Sequence, residues 1–503
     1  QQPAFGLFVA LKDGGALVPL PEKKYLAKVQ IVHNSPDQNA GIVDIYVNDG
    51  ASPAVDDLAY RSATGFVELP SDTPLKIGVA PGTSTNADQA VASINYTFED
   101  GKTYYLIADG LLSDQSFNAY VFDNATESAK AGETDLTIYH GSLDAGTVDV
   151  QETSGDITLA DAFEFGKFTQ RYSLPSVDYY TEVRDDAQTA TVAAFDVPLS
   201  GFDGSSLLAI ASGYASGADA NFGLFAVPAT GGDFLPLAAS TAQAQIIHNS
   251  PAAAGVDILI NDQATPLVNV PFRTASGFVQ VPVGLNQKLS VNLTGTATEA
   301  IAGNADIKGG QKYTIIAAGD GDKQPLDLFI NPMARVAAQT AGNTDVNVFH
   351  GATDAPGVDV TLTDGTVLVP NLAFGKFSDY LDLATNDYVL EVRINSTNSV
   401  FKTYNVPLKT LGLTDQSLTV IASGYAAPTG QQPAFGLFVA LKDGGALVQL
   451  SEAITTSLNE LSASDVSIYP NPTKGLLVID ADVTNYQIIN TLGKTVQEGV
   501  SNQ

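Results

Sequence analysis

The chain repeats itself, and the repeat constrains its fold more than any single residue does. QIVHNSP at 30–36 returns as QIIHNSP at 245–251, and TIYHGS at 137–142 returns as NVFHGA at 347–352. The four histidines of the chain, His33, His140, His248 and His350, keep this phase at separations of 107, 108 and 102 residues. Each precedes a Val-Asp pair on a new apolar run: Val43-Asp44, Val148-Asp149, Val256-Asp257 and Val358-Asp359. Tyr60-Arg61 stands before Thr64-Gly65-Phe66, and Phe272-Arg273 before Ser276-Gly277-Phe278. At the matching place the alternate units carry Phe165-Gly166-Lys167-Phe168 and Phe374-Gly375-Lys376-Phe377. IASGY recurs at 210–214 and 421–425. The order is A-B-A-B, in units of about 105 residues.

Within a unit the apolar period is two. Leu136 and Ile138 alternate with Asp135 and Thr137 before His140, and Val346 and Val348 alternate with Asp345 and Asn347 before His350. Such alternation marks half-buried strands. Short runs of this kind, separated by Gly, Pro, Asn and Asp, read as a β-sandwich of immunoglobulin-like size. The expected fold is all-β: four Ig-like β-sandwiches in tandem, with an orphan N-terminal β-hairpin and a small β-rich C-terminal domain. The expected boundaries are 1–22 for the hairpin, 23–132 and 241–340 for the A units, and 133–240 and 341–452 for the B units. A linker at 453–465 leads to the last domain at 466–503.

The hairpin is assigned by a second repeat. Residues 1–20 return at 431–450 with one change, Pro19 against Gln449. The later copy closes the second B unit, so the earlier one reads as the closing hairpin of an upstream repeat. A lone hairpin bearing Phe5, Leu7, Phe8, Val9 and Leu11 is marginal in water. Two readings stand: a longer repeat array, or strand addition to a neighbouring subunit that builds a homo-oligomer or head-to-tail polymer.

After residue 452 the composition changes to the linker TTSLNELSASD and then Tyr469-Pro470-Asn471-Pro472, with Gly475 and, further on, Gly493-Lys494. This YPNPTKG with a later N-x-x-G-K resembles the C-terminal sorting domain of type IX secretion substrates. The resemblance implies export by the type IX translocon to the outer cell surface or beyond, and 466–503 matches part of the family pattern. The repeats resemble the family called domain of unknown function 4397, in which a strand ending VxHxSP precedes VDVYVDG. The matching residues are 32–36 with 43–48, and 247–251 with 256–261. That resemblance implies a fold and a surface location, and no activity.

The repeating polar residues are the candidates for chemistry. Residues two and four before each His are apolar, so the ring points inward at a strand end, as a core histidine bonded to turn backbone. Metal ligation and base catalysis are the alternatives weighed, but one His per unit and no Cys fall short of a zinc site. Asp44, Asp149, Asp257 and Asp359 lie on the opposite strand face and read as solvated or turn-bonding groups, with a cation site as the alternative. The loop Gly319-Asp320-Gly321-Asp322 is the candidate for weak Ca²⁺ binding, without the spacing of an EF-hand. Arg61, Arg273, Lys167 and Lys376 sit beside aromatics and read as cation–π or snorkelling groups. Exposed rings at Phe66 or Phe278 are the alternative, a platform for surface glycan.

Active sites are singular constellations, whereas every notable polar residue here recurs. No enzyme activity and no cofactor is expected. With 55 acidic against 24 basic side chains the formal charge is −31, which disfavours nucleic acid and anionic lipid as partners. No apolar run reaches the roughly 18 residues of a membrane span. The expected role is a secreted structural subunit of an extracellular filament, stalk or sheath, with an adhesin or carbohydrate-binding surface protein as the alternative.

Overall fold

Every repeat unit is built from two sheets that share one strand plan. The computed structural model describes residues 7–20, 25–216, 221–253, 255–453, 467–469, 478–480, 485–489 and 495–500. In the first A unit one sheet runs Asn118–Phe122, Thr103–Asp109, Leu26–His33, Ser62–Pro70, and the other Val55–Ala59, Ile42–Val47, Leu75–Pro81, Ala92–Tyr96. Leu26–His33 and Thr103–Asp109 pair in parallel. The same parallel pair recurs as Glu133–Gly141 with Ser206–Ser212, Thr241–Asn249 with Lys312–Ala318, and Asn343–His350 with Ser417–Ser423. The units therefore have the size of an immunoglobulin domain, but a parallel pair stands at the centre of one sheet where that fold is antiparallel. Among the described residues no helix is long and apolar enough to cross a membrane.

Side-chain alternation sorts each first-sheet strand into two faces. Val29 and Ile31 join Val43, Ile45, Ile77, Tyr104 and Leu106 between the two sheets of the first A unit. Their neighbours Val32, Tyr105 and Ile107 point away from that core, yet they are buried too. They pack on Tyr139, Leu208, Ile210 and Val227 of the first B unit. The second pair repeats this with Ile247, Ile316, Phe349, Ile421 and Phe438. The half-buried expectation for these strands is corrected: both faces are covered, because the first sheets of A and B lie against each other. Each Ile or Leu buried there is worth about 1.5–3 kcal/mol.

Burial on both faces obliges the interleaved polar residues to find partners. Asp345 is fully buried and lies 2.8 Å from the Arg335 guanidinium. Asp135 accepts bonds from Thr126 and Ser173. Gln30 Nε2, buried in the first pair, donates to Thr64 O and, across the unit boundary, to Pro228 O. Gln245 does the same with Ser276 O and Leu441 O.

The B unit also contributes strand to the A unit. Gly232 and Asp233, at the tip of the first B unit's closing hairpin, pair with Ala63 and Ser62. Gly445 and Ala446 pair with Ala275 and Thr274 in the second copy. Glycine is needed at this tip: a Cβ on Gly444, at φ +76°, would lie 2.3 Å from the Ser276 carbonyl carbon. The four sandwiches thus form two interlocked A·B pairs. The junction between pairs is polar, with Lys308 Nζ 2.6 Å from Asp156 and Asn286 Nδ2 donating to Thr189 O at 3.1 Å.

Candidate assembly site

An arginine from each A unit seals the pair where the closing hairpin crosses over. Arg273 adopts φ 61°, which turns its backbone so that N–H donates to His248 O at 2.8 Å while its carbonyl accepts from Leu447 N at 2.8 Å. Its Nε donates to Ser423 Oγ at 3.0 Å and its Nη2 to Ala434 O at 2.9 Å. The guanidinium lies 3.9 Å from the centre of the Phe438 ring and 4.9 Å from that of Phe272. Burial pushes its pKa down to about 10. Arg61 repeats the arrangement at φ 58°, bonded to Ser212 Oγ and Asn221 O, 4.3 Å over Phe225. The serine of IASGY is thus the acceptor for an arginine about 150 residues earlier, a link visible in the sequence only as two motifs of equal period.

The Phe-Gly-Lys-Phe motif of the B units faces the same seam. Phe165 and Phe168 stand against Tyr120 and Phe122, at centroid distances of 5.7 and 5.3 Å. Phe374 packs on Phe329 at 5.6 Å, and Phe377 on Phe349 at 4.7 Å. Lys167 and Lys376 extend into solvent, and their carbonyls accept from His140 N and His350 N. Phe66 is half-buried, 5.9 Å from Tyr105, and Phe278 is likewise half-buried.

All four histidines lie between the sheets at a strand end. Nε2 contacts Ala40 O at 2.5 Å for His33, Gly146 O at 2.9 Å for His140, Ala253 O at 3.0 Å for His248, and Pro356 O at 3.0 Å for His350. Burial lowers the pKa of each, so the neutral ring holds the loop that leads to the Val-Asp strand. That strand's aspartate performs the next local task. Asp44, Asp149, Asp257 and Asp359 accept backbone N–H bonds from Asp57, Ala162, Asn269 and Asn371 at 3.0, 2.9, 2.7 and 2.6 Å. Each donor has positive φ. The aspartates are therefore turn-bonding. Asp44 and Asp149 are buried, so the solvated reading does not hold for those two.

Asp44, Asp56 and Asp57 bring carboxylate oxygens within 4.8 Å of one another, with Asp44 already bonded to Ser84 Oγ at 2.5 Å. In the loop proposed from sequence for Ca²⁺, one oxygen of Asp320 accepts backbone N–H from Asp322, Lys323 and Gln324. That oxygen closes its own turn.

The N-terminal hairpin has the register of its later copy without its surroundings. Phe8 pairs with Pro19 and Val9 with Val18, as Phe438 pairs with Gln449 and Val439 with Val448. Leu20 N donates to Leu7 O at 2.8 Å, and Leu450 N to Leu437 O at 2.9 Å. Leu7 is 63% exposed and Phe8 50%, whereas Leu437 and Phe438 are each 4% exposed. Val9 and Leu11 are exposed as well. Gly14 keeps φ +79° with open space where Gly444 meets the neighbouring unit's backbone. Phe5 lies outside the described residues.

In the C-terminal segment, Ser467–Tyr469 pairs with Val478–Asp480, and Asn485–Ile489 with Thr495–Val500. Pro470, Asn471, Pro472, Gly475, Gly493, Lys494 and the Tyr469 side chain lie outside the described residues.

Four sandwiches interlocked two by two define a tandem β-sandwich repeat protein. Residues 27–151, 242–361 and 344–440 match the family model described as Domain of unknown function (DUF4397), and the chain belongs to that family. Residues 467–503 match the model for the secretion system C-terminal sorting domain, which marks a protein secreted by the type IX route to the cell surface or extracellular space. No curated protein matches the chain. Among solved structures it overlaps a streptococcal virulence factor described by its alpha-glucan binding, at 11% identity over 37% of this chain and 92% of that one, with a TM-score of 0.14. It overlaps family 41 carbohydrate-binding modules from streptococcal virulence factors at 8% identity, over 39% and 94% of the two chains, TM-score 0.14. The Bacillus anthracis TIE protein overlaps at 9% identity, over 80% and 75%, TM-score 0.15. At such scores these overlaps carry no argument about fold or ligand.

Proposed function

We propose that the chain is a non-enzymatic structural subunit of an extracellular filament, stalk or sheath, with the interlocked A·B pair as its repeating block. The hairpin at 7–20 closes a B-type sandwich, either that of a preceding repeat in its own chain or, by strand addition, that of another copy, and in the second case it is the assembly element. One observation carries this reading: a hairpin nearly identical in sequence to 431–450 exposes the side chains that the later copy buries. Leu7, Val9 and Leu20 correspond to residues that fill a B core, and Phe8 and Leu17 to residues that fill an A·B seam. Replacing 431–450 of a second copy exchanges like for like, the low-cost route of domain swapping. Linkage is then set by concentration and by the contacts that the arriving A unit adds. The acidic surface keeps the copies dispersed until these ends meet.

Light scattering and negative-stain electron microscopy on the purified chain test this. The expected result is head-to-tail rods that lengthen with concentration, reduced to single copies by Phe8→Asp with Leu17→Asp. A chain that stays monomeric at high concentration contradicts the assembly role. Saturable binding to a glycan array by such a monomer favours the adhesin or carbohydrate-binding reading instead.

A further inference from the structure

The two A units are not equivalent at the end of the sandwich where the histidine sits. The second has a cavity of about 240 Å³ between its sheets, lined by Val256, Val291, Ile301, Ala317 and Leu326, with His248 at one end. The strands Thr103–Asp109 and Asn118–Phe122 correspond to Lys312–Ala318 and Asp327–Asn331, and both connecting loops have eight residues. Leu112 and Phe117 of the first unit, which pack on its core, therefore correspond to Gly321 and Leu326. The loop after the histidine also differs. The first unit has a 3₁₀ turn at Gln38–Ala40 that buries Ala40, and its Asp37 carboxylate accepts from Leu112 N at 2.8 Å. The second unit is two residues shorter between His-Asn-Ser-Pro and Val-Asp, with Ala252 where Asp37 stands.

We propose that this cavity in the second A unit is a binding site for a compact, neutral, apolar molecule about the size of one aromatic ring. The lining decides the class. His248 has Nε2 on Ala253 O at 3.0 Å and Nδ1 accepting from Ser250 N at 3.3 Å, and Ser250 Oγ donates to Gly319 O at 2.8 Å. The polar side-chain atoms of His248 and Ser250 are thus committed and the rest of the lining is apolar apart from Thr298, so a charged ligand would give up hydration with little to replace it. An apolar cavity of roughly 150 Å³ already stays dry and takes up benzene, and this one is larger. Leu293 and Thr298, both exposed, also line it. The proposal is independent of the structural role.

Fluorobenzene, followed by ¹⁹F NMR on the full chain, is the probe. Wild type is expected to bind it saturably. Leu326→Phe, which restores the ring of the first A unit, is expected to weaken binding at least tenfold while circular dichroism and thermal midpoint show a folded chain. Leu326→Ala is the second variant and should retain fluorobenzene and admit fluoronaphthalene. Absence of saturable binding by wild type, or equal binding by wild type and folded Leu326→Phe, overturns the assignment. Loss of binding in Leu326→Ala overturns it as well.

Discussion

The guanidinium of Arg273 lies 3.9 Å from the centre of the Phe438 ring, across the boundary between an A and a B unit. It is the point at which the sandwich core, the seam and the closing hairpin meet. The ring at the same place in the N-terminal hairpin, Phe8, is half exposed.

Arg273→Ala is expected to destabilise the second pair by about 1.5–3 kcal/mol, since it removes charged-donor bonds to the buried Ser423 hydroxyl and to Ala434 O together with the guanidinium's packing on Phe438. Arg273→Lys should recover less than half, because a point charge cannot reproduce the planar fork. Chemical denaturation followed by tyrosine fluorescence measures both; a loss under 0.5 kcal/mol, on the order of a surface change, would remove the arginine from the account.

The two pairs should respond differently as pH rises from about 4 to about 8. Burial holds the Asp109 carboxyl up to about 8, against the opposing bonds from Asn34 Nδ2 and Gly110 N, both at 2.7 Å. The second pair has Ala318 at this place. Since the folded pKa is above the unfolded value of 3.8, the folded state holds the extra proton, and stability of the first pair falls as pH rises from about 4 to about 8. Asp109→Ala should flatten that slope and leave the second pair unchanged. Thermal unfolding across this window decides it.

The histidines act with the opposite sign. Burial lowers the pKa of all four below the unfolded value of 6.5, so their contribution is complete above pH 6.5 and is lost as pH falls through their folded values. NMR of the four ring C–H signals should show every imidazole titrating below 6.5. A signal titrating at 6.5 would place that ring in water.

Ala162 donates to Asp149 from φ 46°, a conformation that costs a residue with a Cβ about 1–2 kcal/mol. Ala162→Gly is expected to be neutral or to raise stability by up to about 1 kcal/mol, while Asp149→Ala lowers it by about 0.5–1.5 kcal/mol by removing that hydrogen bond. Comparing the two thermal midpoints separates turn geometry from the hydrogen bond.

Sequence period was enough to place the four units, the inward histidines and the kinship of residues 7–20 with 437–450. It told which face Asp135, Asp345 and Asp44 occupy but not what covers that face, because alternation reports parity within a strand and is blind to a second sandwich beyond it. A signal was present in Tyr104-Tyr105-Leu106-Ile107, four large residues in succession where a strand with one wet face would alternate. The Arg273 to Ser423 link spans 150 residues and follows only from the pairing of units.

The absence of cysteine from the sequence gives the proposed assembly through the hairpin a clean test. Thr274 pairs with Ala446, whose counterpart in the first hairpin is Ala16. A chain carrying Ala16→Cys and Thr274→Cys, oxidised mildly at high concentration, is predicted to form a ladder of disulfide-linked oligomers. The control, Ala446→Cys with Thr274→Cys, should form a bridge within one chain. A control that bridges, beside an Ala16 variant that stays monomeric, would contradict strand addition between copies.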